Sequence, residues 1–332
     1  MKTGKSILSI LILFLVIAGV GIYQWINENQ KTKTTLPFVF EIQEAETVES
    51  VSNRLLEAGV IKNALFFRYY LRYTKTDKTI QAGYYLVPET KNLDELIKVF
   101  QEGKAKMVKY TIPEGYTIRR IAKKLAEEGL VDELAFIDLA LKRGTQFTFP
   151  YLDQIRDGNL EGFLFPETYF IANPTEETII QQMLDQFSLV MEQSILPKWN
   201  NQKWALREII ILSSIVEREA QVDRERPIVA SVFLNRIQAG WKLEACSTVE
   251  YVIQKEGYVL TLDELQIDSP YNTYKYIGLP AGPICNPGLD SILATLAPAK
   301  TGYFFFAAKG DGSHAFATTL DEHNRNVAKY IP

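Results

Sequence analysis

Histidine is almost missing from this 332-residue chain, which has only His314 and His323. There is no His-Glu-x-x-His run and no cysteine pair at zinc spacing, so a histidine-rich catalytic zinc site is not expected, nor any other metal or cofactor. Cysteine is equally scarce, with Cys246 and Cys285 alone. An even count permits one disulfide in an oxidising compartment, and it equally permits two buried thiols. Sequence does not place their Cβ atoms, so both alternatives stand. Charge of one sign is lacking too: 36 Lys and Arg face 40 Asp and Glu, for a formal charge of −4. The cations are scattered and form no stripe, so no nucleic-acid partner is expected.

Residues 6–26 contain no charged residue. About twenty apolar residues are what a helix needs to cross the hydrocarbon core. Lys2 and Lys5 precede the run, which puts residues 1–5 in the cytoplasm as a short tail. No Ala-x-Ala-like site follows, so a retained signal anchor is expected in place of a cleaved signal peptide. Tyr23 and Trp25 suit the outer interface. The polar residues 27–36 read as a stalk, and the remainder is expected outside the cytoplasm, anchored to the inner membrane by a single pass. Its length suggests about two domains.

From residue 37 the texture becomes that of a small α+β module, 37–105. Phe38-Val39-Phe40-Glu41-Ile42 alternates like a strand, and residues 46–56 then take helical spacing. Helices are expected over 64–73 and 92–101, the latter closed by Gly103, with a strand over 81–87. A second unit, 106–200, begins on a similar phrase: a strand to Ile112, the turn Pro113-Glu114-Gly115, then an amphipathic helix from Thr117 to Gly129. Two copies of strand, turn, helix, Gly and apolar residue suggest a duplicated module; shared helix grammar would produce the same likeness. Helical connections over 134–141 and 178–196 flank the aromatic segment Leu160-Glu161-Gly162-Phe163-Leu164-Phe165-Pro166-Glu167-Thr168-Tyr169. That segment suits a packed corner or the wall of a carbohydrate groove.

The last unit, 201–332, carries the chemistry. A largely apolar helix pattern over 206–216 runs into Ser213-Ser214-Ile215-Val216-Glu217-Arg218-Glu219. A carboxyl closing such a run is either a solvated helix end or a group held against apolar walls. In the second case desolvation raises its pKa and makes it a usable general acid. Glu219 points about 200° around the helix from Glu217 and cannot share its face, so a structural or supporting role is expected for it. A further helix over 226–239 has Pro227 in its first turn and Gly240 as its C-cap. Pro- and Gly-rich loops follow, 269–274 and 278–288, whose backbone geometry is costly unless a site needs it. Phe304-Phe305-Phe306-Ala307 and His314-Ala315-Phe316 read as the two legs of a hairpin.

Ser-Ile-Val-Glu-Arg-Glu, Val-Ala-Ser-Val-Phe-Leu-Asn-Arg (229–236), Ser-Pro-Tyr-Asn-Thr-Tyr, Gly-Leu-Pro-x-Gly-Pro-Ile-x-Asn-Pro-Gly and a Gly-x-His-x-Phe ending occur in this order. With Leu-Glu-Gly-Phe-Leu-Phe-Pro-Glu-Thr-Tyr upstream, they resemble the YceG-like (MltG) family of endolytic murein transglycosylases over essentially the whole chain. The resemblance implies cleavage of the β-1,4 bond between N-acetylmuramic acid and N-acetylglucosamine in nascent peptidoglycan strands, leaving 1,6-anhydro ends. It implies that Glu217 is the catalytic acid and that the front modules are LysM-like glycan binders. Peptidoglycan synthases are candidate partners. The expected fold class is therefore α+β: one N-terminal transmembrane helix, LysM-like small α+β modules, and an α+β catalytic domain. One carboxyl suffices for this chemistry, as acid first and base second.

Candidate substrate-binding residues are Tyr271, Asn272 and Tyr274 on the Pro-rich loop, Asn235 on the preceding helix, and Glu244 and Thr248 between them. For the two Asn residues and Tyr274, structural hydrogen bonding between loop and helix is an equal alternative. The family pattern carries Gln-x-Asp-Pro-Thr-Val where this chain has Glu244-Ala245-Cys246-Ser247-Thr248-Val249. A Cys246–Cys285 brace would stand in structurally for the missing Asp-Pro. Glu244 as a second carboxylate would instead make the protein a muramidase that hydrolyses the same bond. A non-enzymatic, glycan-binding envelope scaffold is the third reading.

Overall fold

The computed structural model describes residues 2–33, 38–102, 106–199, 204–255 and 260–331, with the side chains of 2–12, 102 and 106 left out. Part of the expected stalk (34–36) and the Gly103 cap lie outside the described residues. The chain divides into two compact units, one made of residues 1–109 with 170–173 and the other of 110–169 with 174–332.

The first unit opens with helix α1 (Lys2–Asn29). Leu13, Phe14, Leu15, Val16, Ile17 and Val20 on it are all more than half exposed. Among the described residues no helix is long and apolar enough to cross a membrane. Strand β1 (Phe38–Ile42), helices α2 (Val48–Glu57) and α3 (Ala64–Thr74), strand β2 (Gly83–Val87), helix α4 (Leu93–Glu102) and strand β3 (Lys106–Thr111) follow. β1 and β2 are antiparallel with Phe40 opposite Tyr85, and β2 pairs antiparallel with β3. The sheet order is β1-β2-β3-β4, where β4 is Thr168–Ile171, and the unit boundary falls within β3 and within β4. Alternation sends Phe40, Ile42, Tyr85 and Val87 inward against Leu55, Phe67, Leu71, Leu96 and Phe100.

The second unit is mainly helical: α5 (Ile118–Glu127), α6 (Glu133–Lys142), α7 (Glu176–Val190), α8 (Leu196–Trp199), α9 (Leu206–Glu219), α10 (Arg226–Gln238), α11 (Cys246–Ile253), α12 (Leu289–Leu296) and α13 (Leu320–Tyr330). Its hairpin pairs β5 (Phe305–Ala308) with β6 (His314–Ala317), antiparallel. α9 is buried from Ile209 through Val216 and packs against α10, α11 and α12. That all-round burial explains why its sequence is apolar on every face. Leu212, Ile215 and Val216 share one core with Val229, Ala230, Phe233, Leu243 and Ile284.

α2 and α5 repeat one local design. Each is ten residues long, with a threonine N-cap (Thr47, Thr117) accepting from the N–H three residues on. Each is followed by a glycine at positive φ, Gly59 at 70° and Gly129 at 72°. Three helices had no expectation from sequence. α11 and α12 are eight residues each, too short to show a full apolar stripe. α13 buries no residue, although Thr319 does accept from the Glu322 N–H as an N-cap should.

Phe233 is 1% exposed and meets Phe306 edge to face at 5.8 Å. Phe233→Ala is expected to cost about 3–5 kcal/mol in a denaturant titration, from lost transfer energy plus a cavity. A cost below about 1 kcal/mol would show that this core does not hold α9 and α10 together.

Candidate active site

The site starts from two serines inside a buried helix. Ser213 and Ser214 bond back to the carbonyls of Ile209 and Ile211, which removes their hydroxyls from competition with the helix. Ser214 Oγ also accepts the Ile284 N–H at 3.0 Å, and the Cys285 thiol lies 3.3 Å from the Ser214 carbonyl. Small polar residues thus let the 284–288 loop run directly along α9. Three residues further on, on the same helix face, Glu217 Oε2 accepts the Gly288 N–H at 3.0 Å.

The other oxygen of Glu217 faces Arg226, with Nη2 at 3.3 Å from Oε1; the two side chains are 6% and 9% exposed. Arg226 is held on three sides. Its Nε donates to Ser291 Oγ at 3.0 Å, its Nη1 pairs with Asp223, and its Nη2 lies 3.8 Å from Glu114 Oε2. Glu114 comes from the turn after β3, more than a hundred residues away in sequence. Burial and the charge of Glu217 push the Glu114 carboxyl above its usual range, Arg226 pulls it down, and Asp290 and Asp223 add to the rise. Gly288 has an ordinary φ of −73°. The lack of a side chain matters in another way: a Cβ there would lie 2.0 Å from Glu114 Oε1, so the half-exposed Glu114 side chain would have to shift. A Cβ on Gly115 would touch Glu217 Cγ at 3.5 Å, in a backbone conformation (φ +73°) that favours glycine anyway.

Asn286 fastens this arrangement from below. Its Oδ1 accepts the N–H groups of Gly162 and Leu164, both at 2.9 Å. Its Nδ2 donates to Tyr116 O and to Glu161 Oε1, and its backbone bonds Tyr116 and Gly115. Glu161 is 2% exposed and also accepts from the Ile118 N–H and the Tyr251 hydroxyl. Burial pushes its carboxyl up to about 8 against the pull of those donors. Glu161 and Tyr251 help line a cavity of about 620 Å³, with Arg119, Lys123, Glu250 and Tyr271 among its other walls.

The residues singled out from sequence are not all brought together. Glu219 turns away from Glu217 and accepts from Ser247 Oγ at 2.7 Å, and burial raises its pKa. Asn235 gives its amide to the carbonyls of Thr301 and Tyr303, and Asn272 gives its own to Leu265 and Ile267. Thr248 bonds Ala245 O and Thr273 Oγ1 in the interior. Glu244 is half exposed at positive φ and pairs with Arg236 at 3.4 Å. Tyr271 reaches the cavity wall and stacks at a tilt on Tyr251. Tyr274 meets Cys246 Sγ at 3.0 Å, and burial raises its pKa. The Cys246–Cys285 brace is not formed: the two are not joined in a disulfide, Cys246 lying at the surface and Cys285 fully buried beside Ser214. Glu114, Arg226 and Gly288 were read only as a turn, a helix start and a loop. The signal that could have found them was the Pro/Gly density of 278–288, which marked a constrained backbone without saying what pressed against it.

The site brings together a buried carboxyl, an arginine and a second, half-exposed carboxyl, groups of the kind that acid–base chemistry uses. No His/Cys/Asp/Glu cluster able to hold a metal occurs among the described residues. The sequence matches the YceG-like family over residues 40–329. It is 32% identical to the endolytic murein transglycosylase of Bacillus subtilis (strain 168), covering 96% of this chain and 91% of that one. It is 30% identical to the endolytic murein transglycosylase of Streptococcus pneumoniae serotype 2 (strain D39), covering 92% of this chain and 60% of that longer one. Among solved structures, a YceG-like protein of Listeria monocytogenes matches with a TM-score of 0.59 at 31% identity, covering 88% of this chain and 99% of that one. The chain belongs to the YceG-like family.

A carboxyl whose folded pKa is raised binds more protons in the folded state than in the unfolded one. Its contribution is therefore full below the ordinary value of 4.5 and is lost as pH rises to about 8. Wild-type stability in denaturant should fall across that window, and Glu161→Gln should flatten the fall. Parallel pH curves for the two proteins would show that folding does not raise the Glu161 pKa.

Proposed function

We propose that this protein is an endolytic murein transglycosylase that cuts the MurNAc-β-1,4-GlcNAc bond of peptidoglycan strands through Glu217. The observation that carries the reading is the geometry of Glu217, a 6%-exposed carboxyl with Arg226 on one oxygen and the Gly288 N–H on the other. Thirty-two per cent identity to a Bacillus subtilis protein of that name over nearly the full length supports the substrate. In the reaction, Glu217 gives its proton to the glycosidic oxygen as the bond to the muramoyl anomeric carbon breaks. It then takes the proton of the muramoyl C6 hydroxyl as that oxygen closes the 1,6-anhydro ring, which restores the starting carboxyl without consuming water.

Residues 6–26 are proposed as a single-pass anchor in the cell membrane, with the catalytic unit outside the cytoplasm. Their lack of charge and the exposed apolar residues of α1 support this. The module of 37–105 is proposed as a LysM-like glycan binder, supported by its small α+β architecture. An anchored enzyme would work on strands near the bilayer, alongside peptidoglycan synthases. A hydrolase reading has one specific observation behind it, the second carboxyl beside Glu217. That carboxyl is Glu114, since Glu244 pairs with Arg236.

Mass spectrometry of purified murein strands digested by the full chain tests the reading. Wild type should leave muramoyl ends lighter by one water than reducing ends, and Glu217→Gln should cut at least about a hundredfold more slowly with its fold intact. Ordinary reducing ends would make the protein a muramidase. Equal turnover by wild type and Glu217→Gln would remove Glu217 from the chemistry, and binding without cleavage by either would leave a scaffold.

A further inference from the structure

We infer that the cavity beside the Glu217 site binds an anionic peptide, the stem that a muramoyl residue carries, with Arg119 and Lys123 receiving its carboxylates. The identity of the ligand rests on the proposed transglycosylase function. Glu217 is not among the cavity's walls, yet short links join the two. Thr117 lines the cavity two residues after Gly115, where a Cβ would lie 3.5 Å from Glu217 Cγ. Glu250, another wall residue, pairs at 3.3 Å with Arg218, the residue after Glu217. A stem leaves the same sugar whose anomeric carbon Glu217 would address. Four residues of extended peptide reach about 13 Å, enough to pass from that sugar into a neighbouring cavity.

The walls suit such a ligand. At about 620 Å³ the cavity has the size of a small-molecule or short-peptide site. Arg119 and Lys123 stand four apart on α5 and so share a helix face. Lys123 meets Glu127 at 3.9 Å with both side chains about two-thirds exposed, a pair that holds it weakly. Arg120 adds a third cation to the wall, lying over the Tyr116 ring at 3.9 Å. Three carboxyls also line the cavity, and two of them are engaged. Glu250 is paired with Arg218, and Glu161 accepts from the Ile118 N–H, the Tyr251 hydroxyl and the Asn286 side-chain amide. Burial favours the neutral form of Glu161 as well. Glu133 remains against three cations, so the field in the cavity is positive. Tyr251 and Tyr271, with rings 5.1 Å apart, give an apolar surface for alkyl side chains. Asn159 and Gln254 bring side-chain amides to a peptide backbone. A neutral sugar would leave this charge unanswered, whereas a peptide bearing carboxylates pairs with it.

Titration calorimetry of the full chain with a synthetic stem tetrapeptide, and with the same peptide amidated at its carboxyls, tests binding apart from cleavage. The acid peptide should bind wild type, and more weakly as salt rises. The amidated peptide on wild type, and the acid peptide on the double variant Arg119→Gln, Lys123→Gln, should each lose at least about tenfold in affinity. Both side chains are exposed, so the variant should fold as wild type does. Digestion of stem-bearing and stem-stripped strands then gives kcat/KM for each. Wild type should prefer the stem-bearing strands, and in the variant that preference should shrink toward none. Equal affinity of wild type for the two peptides would overturn the inference, as would a variant that binds and discriminates like wild type. Inorganic phosphate competing as well as the tetrapeptide would reduce the cavity to a simple anion site. Strands cut with no stem binding or preference would sink this inference alone. Stem binding with no strand cut would sink the proposed function and leave the cavity's ligand standing.

Discussion

The contact on which the site depends is the double engagement of Glu217 by Arg226 and the Gly288 N–H. A carboxyl that is 6% exposed has lost most of its water, and in such surroundings an unpaired charge is expensive. The pairing is therefore a condition for having the carboxyl there at all. It also dictates other parts of the unit. Arg226 must begin α10 at a fixed distance from the end of α9, so Asp223 and Ser291 grip it from both sides. The 284–288 loop must lie along α9, so Ser214 replaces a larger side chain and binds the Ile284 N–H.

The loop is rigid for reasons that differ from residue to residue. Gly288, at an ordinary φ, leaves room for the Glu114 carboxyl that a Cβ would displace. Asn286 is fully buried and has both side-chain ends occupied, so removing it would strand the N–H groups of Gly162 and Leu164. The aromatic corner at 160–165 is tied to the site by that one amide. It supplies Glu161 to the N-terminus of α5, where the carboxyl accepts the Ile118 N–H, one of the donors a helix start leaves without an intrahelical partner.

Legibility in the sequence followed the range of the interaction. Helices α9 and α10, the β5–β6 hairpin and the paired strand-helix openings were visible because periodicity and caps are local. Glu217 was visible as an acidic residue closing an apolar helix, a local anomaly that left a solvated end open, and its role came from the family resemblance. Glu114 and Arg226 were not, since nothing within a few residues of either reports the other. Asn235 and Asn272 show the opposite case: two alternatives were open from sequence, and in the structure their amides bond backbone carbonyls. A buried Asn with a loop nearby is more often a fastener, because the loop's carbonyls need donors. The two cysteines were undecidable from sequence, and Cys285 behaves as a small apolar residue beside Ser214.

The charge balance of the cluster bears on the chemistry itself. Glu217, Asp290 and Asp223 all oppose the ionisation of Glu114, and Arg226 favours it. Such an imbalance would be a poor way to stabilise a fold, because like charges raise each other's cost of ionisation. It suits a reaction that builds positive charge on a neutral sugar. On the transglycosylase reading the anomeric carbon becomes oxocarbenium-like as the glycosidic bond stretches. Fixed negative groups in a partly dry site stabilise that charge more than water would, and they do so without rearranging. Arg226 then has a second consequence besides pairing with Glu217. It offsets part of the negative field of the carboxyls around it, which lowers the cost of holding them together in the folded protein.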